Sequence, residues 1–277
     1  MSCETEFRVL TALLFELIQF KAGELLTKDN AWQNDAQVLS GKLFKHMLSA
    51  MDIYTGGKFV SRKGFELDYV DYSSISIVIR AALENYLVIY WLYLDADEDV
   101  SRYRHKTWEL GGLMDRSKMF ASDPVSKAKL KAEAGLIEVL KGEISANDHF
   151  VGMKQWGQDK VLKGEWRTGK SWADFAVMAG IHRTYFNDIY RHLCGHSHAS
   201  YISALQVRDA SSLDVQVELS EGILQIGCLI MAHFAFSYSY KFLKSEDVLK
   251  KDDATYDVAH KWRVGIEDQN HFYGVGG

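Results

Sequence analysis

Between Ile75 and Leu94 nearly every side chain is aliphatic or aromatic, and this one stretch limits what the chain can fold into more than any other. A run so apolar must either be surrounded by protein on most sides or cross a membrane. Its polar residues are few and ordered. Ser73, Ser76, Arg80 and Glu84 recur at three- or four-residue steps and draw one polar stripe along a helix of about Tyr72–Ala96. Arg80, Glu84 and Asn85 would be costly in lipid, so the stretch reads as a buried helix whose stripe must meet partners or water. The second long apolar run, Gly222–Leu243, carries Gln225, His233 and several serines and reads the same way. No membrane partner is expected.

Little else interrupts a helix. The 277 residues contain a single proline, Pro124, and few breakers in a long chain favour long helices. Apolar spacing places helices at about Glu4–Leu26, Ala31–Tyr54, Asp97–Ala121 and Asp214–Leu243. Asp123-Pro124 is an N-cap followed by proline at the first helical position, opening a helix to about Gly142. Ser171 caps a short helix through Met178, and residues 181–195 form another. Residues 58–68 read as a loop, 145–170 as an irregular insertion, and the segment after Tyr201 as extended. The expected fold is all-α: an up-and-down bundle of long helices with additional N- and C-terminal helices. It is taken as one domain, with an N-terminal helical pair at 1–60, the bundle at 70–245 and a C-terminal tail at 246–277.

The formal net charge of −5 speaks against coating nucleic acid by bulk electrostatics, although it leaves room for a local basic groove. Cys3, Cys194 and Cys228 are odd in number and widely spaced, with no CxxC. That pattern favours a reducing compartment. No secretory signal is read at the start, so the expected location is cytoplasmic.

Chemistry concentrates in Ile181–Tyr201, which holds Arg191, His192, His196 and His198. Ile181, Tyr185, Ile189 and Leu193 share a helical face, and Gly195 is a natural helix stop. On an unbroken helix Arg191 and His196 would point about 140° apart. A stop at Gly195 would let the backbone swing His196 toward the guanidinium. A fixed cation beside a group titrating near neutrality suits a phosphodiester, with arginine on the phosphate oxygens and histidine moving a proton.

The element Arg191-His192-Leu193-Cys194-Gly195-His196 resembles the R-x4-H signature of the HEPN superfamily of small helical bundles. The pairing of Ser73–Asn85, which contains Arg80-x3-Glu84, with Ile189–Ser200 resembles an uncharacterised bacterial branch of it. The resemblance covers about residues 70–245. It implies metal-independent RNA cleavage without a cofactor. His196 would be the general acid/base, Arg191 would stabilise phosphate charge, and Glu84 would orient one of them. His192, His198, Arg80 and Ser197 would serve as binding residues. The implied assembly is a homodimer with its site at a twofold interface, acting on RNA or a nucleotide, in some systems beside an antitoxin or other protein partner.

Other readings stay open at this point. Arg191 can pair with Asp188, and Arg80 with Glu84, purely as helical ion pairs. A non-catalytic nucleotide- or RNA-binding or protein-interaction module would use the same residues. His192, His196 and His198 with a carboxylate could hold zinc, but the HExxH glutamate is replaced by Leu193 and no repeated E-x-x-H occurs. Cys194 beside the histidines is a nucleophile or a small buried side chain. The 151–171 segment carries Lys154, Lys160, Lys163, Arg167 and Lys170 with Trp156 and Trp166. This mixture suits a single-strand platform or a solvated loop held by its tryptophans.

Overall fold

The computed structural model describes residues 1–95, 97–198, 200–242 and 245–274. It is all-α, as expected. The helices are α1 (Cys3–Gln19), α2 (Asn34–Tyr54), α3 (Tyr72–Ile89), α4 (Glu98–Ser117), α5 (Pro124–Ser145), α6 (Asp148–Val151) and α7 (Gln155–Leu162). They continue as α8 (Trp172–Met178), α9 (Arg183–Ser197), α10 (Tyr201–Asp209), α11 (Leu213–Lys241), α12 (Glu246–Leu249), α13 (Asp253–Trp262) and α14 (Ile266–Tyr273). The expected helix ends at Ala96 and Leu243 lie outside the described residues.

The chain divides into two compact units, Met1–Tyr90 with Trp172–Gly277, and Trp91–Ser171. In the first, α1, α2, α3 and α11 pack pairwise into a closed ring, with α9 laid against α3 and α13 against α1 and α11. Phe7, Leu10, Leu14, Leu43, Met47, Ile75, Ile79, Leu83 and Phe234 fill the ring. Gly227 on α11 is what lets α1 and α3 approach. A Cβ there would stand 2.5 Å from the Phe7 ring and 3.1 Å from Ile79 Cδ1.

Several polar groups of the apolar third helix find partners close at hand. Asp71 caps it by accepting from Ser74 N at 3.0 Å. The buried Ser76 hydroxyl donates to Tyr72 O at 2.9 Å, and Asn85 Nδ2 donates to Leu39 O on α2 at 2.8 Å. Beyond Ile89 the helix widens into one π-helical stretch, Tyr90–Leu94. Both Tyr72–Leu94 and Leu213–Lys241 are long and apolar enough to cross a bilayer. However, 67% and 72% of their most apolar windows are buried in the protein.

The second unit is α4–α7. Its core joins Tyr103, Leu110 and Leu113 from α4 to Ile137, Leu140 and Ile144 from α5, with Phe150 and Val161 closing the end. The 145–170 segment is therefore not simply irregular, because α6 and α7 lie within it. Asn147 starts α6 by accepting from His149 N, while Phe150 and Val161 anchor both short helices in the core. Trp156 does not pin the segment down. It is exposed, with Lys160 Nζ 5.0 Å from its ring centroid.

Two further expectations are corrected. Residues 58–68 form an antiparallel hairpin, β1 (Gly57–Val60) paired with β2 (Glu66–Tyr69), closed by a turn at Gly64 with φ of 81°. The segment after Tyr201 is helical, because Ser200 accepts from Ser203 N and nucleates α10. The C-terminal tail holds the short helices α12, α13 and α14, in keeping with the C-terminal helices expected.

Candidate functional site

The polar stripe of α3 faces α9, and the two helices form a seam with two polar stations. At one, the Tyr190 hydroxyl donates to Glu84 Oε1 at 2.6 Å, and Arg80 Nε donates to the same oxygen at 3.0 Å. The Arg80 guanidinium also lies over the Tyr190 ring, 5.4 Å from its centroid. Burial raises the Tyr190 phenol above its ordinary range, and Glu84 adds to the rise. Burial alone would lower Arg80. Tyr190 and Glu84 more than offset it, so the guanidinium is held firmly charged.

At the other station, His196 is only 7% exposed. Its Nδ1 shares a 3.1 Å hydrogen bond with Ser73 Oγ, while the buried Nε2 makes no well-formed hydrogen bond among the described residues. Tyr72 and His192 stand edge-on to its ring at centroid distances of 5.6 and 5.3 Å. Burial lowers the His196 imidazole below its ordinary value and His192 lowers it further, against Gln206 and Asp71, which act the other way. His192 is likewise lowered by burial. Both rings are thus biased toward the neutral form.

The expected meeting of Arg191 and His196 does not occur within the chain. Helix α9 continues through Gly195 to Ser197, so the two side chains leave it on opposite sides. Arg191 is 82% exposed, with only a loose 3.8 Å contact to Asp188. Gly195 serves a different purpose from a left-handed stop. A Cβ there would lie 3.0 Å from Ser200 Oγ, and Ser200 N donates to Gly195 O at 3.0 Å, so the glycine lets the cap of α10 close against α9.

Glu84 turns to Arg80 and Tyr190 rather than to the histidines. Arg80 is consumed in the same network. Ser197 back-bonds to Leu193 O at 3.4 Å, and His198 is an exposed C-cap. Of the sequence-derived set, then, His192 and His196 come together on one face, Arg80 and Glu84 form a separate station, and Arg191 stands apart. Tyr190, Tyr72 and Gln206 complete the seam; the sequence offered Tyr190 only as the neighbour of Arg191 in the R-x4-H element, with no role, and did not single out the other two. The signal for Tyr190 was its helical register with Phe186 and Leu193, both buried.

Among the described residues no three His, Cys, Asp or Glu side chains converge as a metal site. The fold and seam thus define a class: an all-α bundle protein with a neutral histidine pair and a tyrosine–carboxylate–arginine network between two helices. The chain belongs to a family of unknown function (DUF5677), whose profile matches residues 65–214 and so contains both helices of the seam. No curated protein and no solved structure matches the chain.

Proposed function

We propose that the protein is a metal-independent endoribonuclease that works as a cytoplasmic homodimer, with His196 as the proton-transfer group. The observation that supports this reading most is the buried Nε2 of His196, which makes no well-formed hydrogen bond among the described residues although Gln206 acts on the ring. Buried polar atoms normally find partners, and an orphan on a histidine at a helix seam suits a group awaiting a substrate proton. When Nδ1–H donates to Ser73 Oγ, Nε2 carries the acceptor lone pair of an imidazole already biased neutral. Nε2 then takes the 2′-hydroxyl proton as O2′ bonds to phosphorus. The P–O5′ bond breaks, the 5′-oxygen leaves with a proton from solvent, and a 2′,3′-cyclic phosphate remains.

Arg191 of the same chain points away, so the arginine that stabilises the phosphate is supplied by a second copy across a twofold. Substrate entry also requires α10 to move, because Gln206 on that helix already engages the imidazole.

A second reading, a non-catalytic RNA- or nucleotide-binding or interaction module, draws on the divergence of Arg191 from His196 and the low exposure of the imidazole. Labelled RNA separates the two. The first reading expects cleavage to 2′,3′-cyclic ends in EDTA, loss in His196→Ala and in Arg191→Ala, and recovery when the two inactive variants are mixed into heterodimers. Saturable RNA binding without turnover supports the second reading and overturns the first. Cleavage abolished by EDTA overturns both in favour of a metal enzyme.

A further inference from the structure

A cavity of about 710 Å³ lies away from the α3–α9 seam, between α11, the end of α13 and the start of α14. Most of its lining comes from beyond residue 214, outside the family match. Its volume falls in the range of small-molecule sites.

The charged residues on its rim differ in how far they are already engaged. Lys261 is committed to Glu6 at 2.7 and 2.8 Å, and Asp268 accepts from Gly265 N at 2.8 Å. Arg263 and Glu267 remain. Among the described residues no carboxylate pairs with Arg263. Its guanidinium lies over Phe236, 4.5 Å from the ring centroid, and its charge reaches the buried His233 and Tyr86. Glu267 has no ion pair among the described residues either, and the two opposite charges do not meet although four positions separate them. Tyr90, Met178, Ala179 and His233 line the same cavity, the His233 Nε2 being tied to Val264 O at 3.0 Å.

A second observation points to the same cavity. The Tyr86 hydroxyl is fully buried, and the side chains that act on it are Ser237, by a hydrogen-bonding interaction, and Tyr90 and Arg263 by charge. All three line the cavity.

We infer that this cavity binds a zwitterionic small molecule of the amino-acid type, with its carboxylate on Arg263, its ammonium on Glu267 and an apolar side chain against Tyr90 and Met178. A simple anion would leave Glu267 repelling it, and a simple cation would face Arg263. A zwitterion satisfies both and spans the gap that keeps them apart. The inference does not rest on any activity at the α3–α9 seam.

The test is calorimetric titration of the full-length protein with each of the twenty free L-amino acids, with sodium acetate and ethylamine as single-charge controls. Saturable binding of at least one amino acid with an apolar side chain is expected, tighter than either control. Arg263→Leu and Glu267→Gln should each weaken it by about ten-fold or more, the usual cost of a lost charge-assisted hydrogen bond. Both residues are exposed, and an unchanged melting profile would confirm that each variant is folded. Absence of saturable heat from all twenty overturns the inference. So does acetate or ethylamine binding as tightly as the best amino acid, or binding indifferent to both substitutions.

Discussion

Tyr190 donates its hydroxyl to Glu84 across 2.6 Å, a bond that ties the middle of α9 to the most apolar helix of the protein. Without it, Glu84 would sit half-buried beside Arg80 alone. Tyr190→Phe should therefore cost about 1–2 kcal/mol, the range for a partly buried hydrogen bond to a charged group. Denaturant melts of the two proteins measure it. Glu84→Gln should also lower stability, while the ¹H–¹⁵N histidine titrations of His192 and His196 stay where they are. A moved His196 titration would show that Glu84 acts on the histidine after all.

The histidines give the protein a stability slope near neutral pH. His196, His192, His46 and His233 are each lowered in the folded state, burial being the first cause in every case. A histidine depressed on folding binds its proton more readily when unfolded. Stability is then complete above the unfolded value of about 6.5 and falls as pH drops below it. The melting temperature should decrease between pH 7.5 and 5.5, and His196→Gln should flatten part of that decrease. A melting temperature constant across the interval would contradict the assignment.

Glu6 produces a second slope at lower pH. It is 5% exposed and accepts from Lys261 Nζ and from Trp262 Nε1, the latter at 2.7 Å. Burial alone would raise this carboxyl, but Lys261 and Trp262 outweigh it and hold it below the ordinary range. The stabilisation is present above the unfolded value of about 4.3 and lost as pH falls through the lowered folded value. Glu6→Gln should destabilise by about 1–3 kcal/mol at pH 7, and the difference from wild type should shrink in acid. An equal difference at pH 7 and pH 3 would count against this reading.

Gly227→Ala tests the packing of the ring of helices. The new methyl would meet the Phe7 ring at 2.5 Å, where both neighbours are fully buried. Overpacking of this kind costs about 1–3 kcal/mol, so thermal melts should show a clear loss despite the better helix propensity of alanine. A stabilised variant would mean that α1 and α11 are not in close contact.

The sequence by itself determined the all-α class, because hydrophobic periodicity and the scarcity of proline are local properties that hold wherever the helices end up packing. It also determined that the stripe of Ser73, Arg80 and Glu84 needed partners, since polar groups on a buried helix cannot go unpaired without cost. Which partners they found was decided by the tertiary structure. Ser73 meets His196 and Glu84 meets Tyr190 only because α9, more than a hundred residues downstream, lies along α3. The fate of Gly195 was likewise not local. Glycine suits a left-handed stop and equally suits a close approach, and the cap of α10 at Ser200 selected the second. Once α9 continued, Arg191 and His196 had to diverge, since five residues of helix leave two side chains about 140° apart.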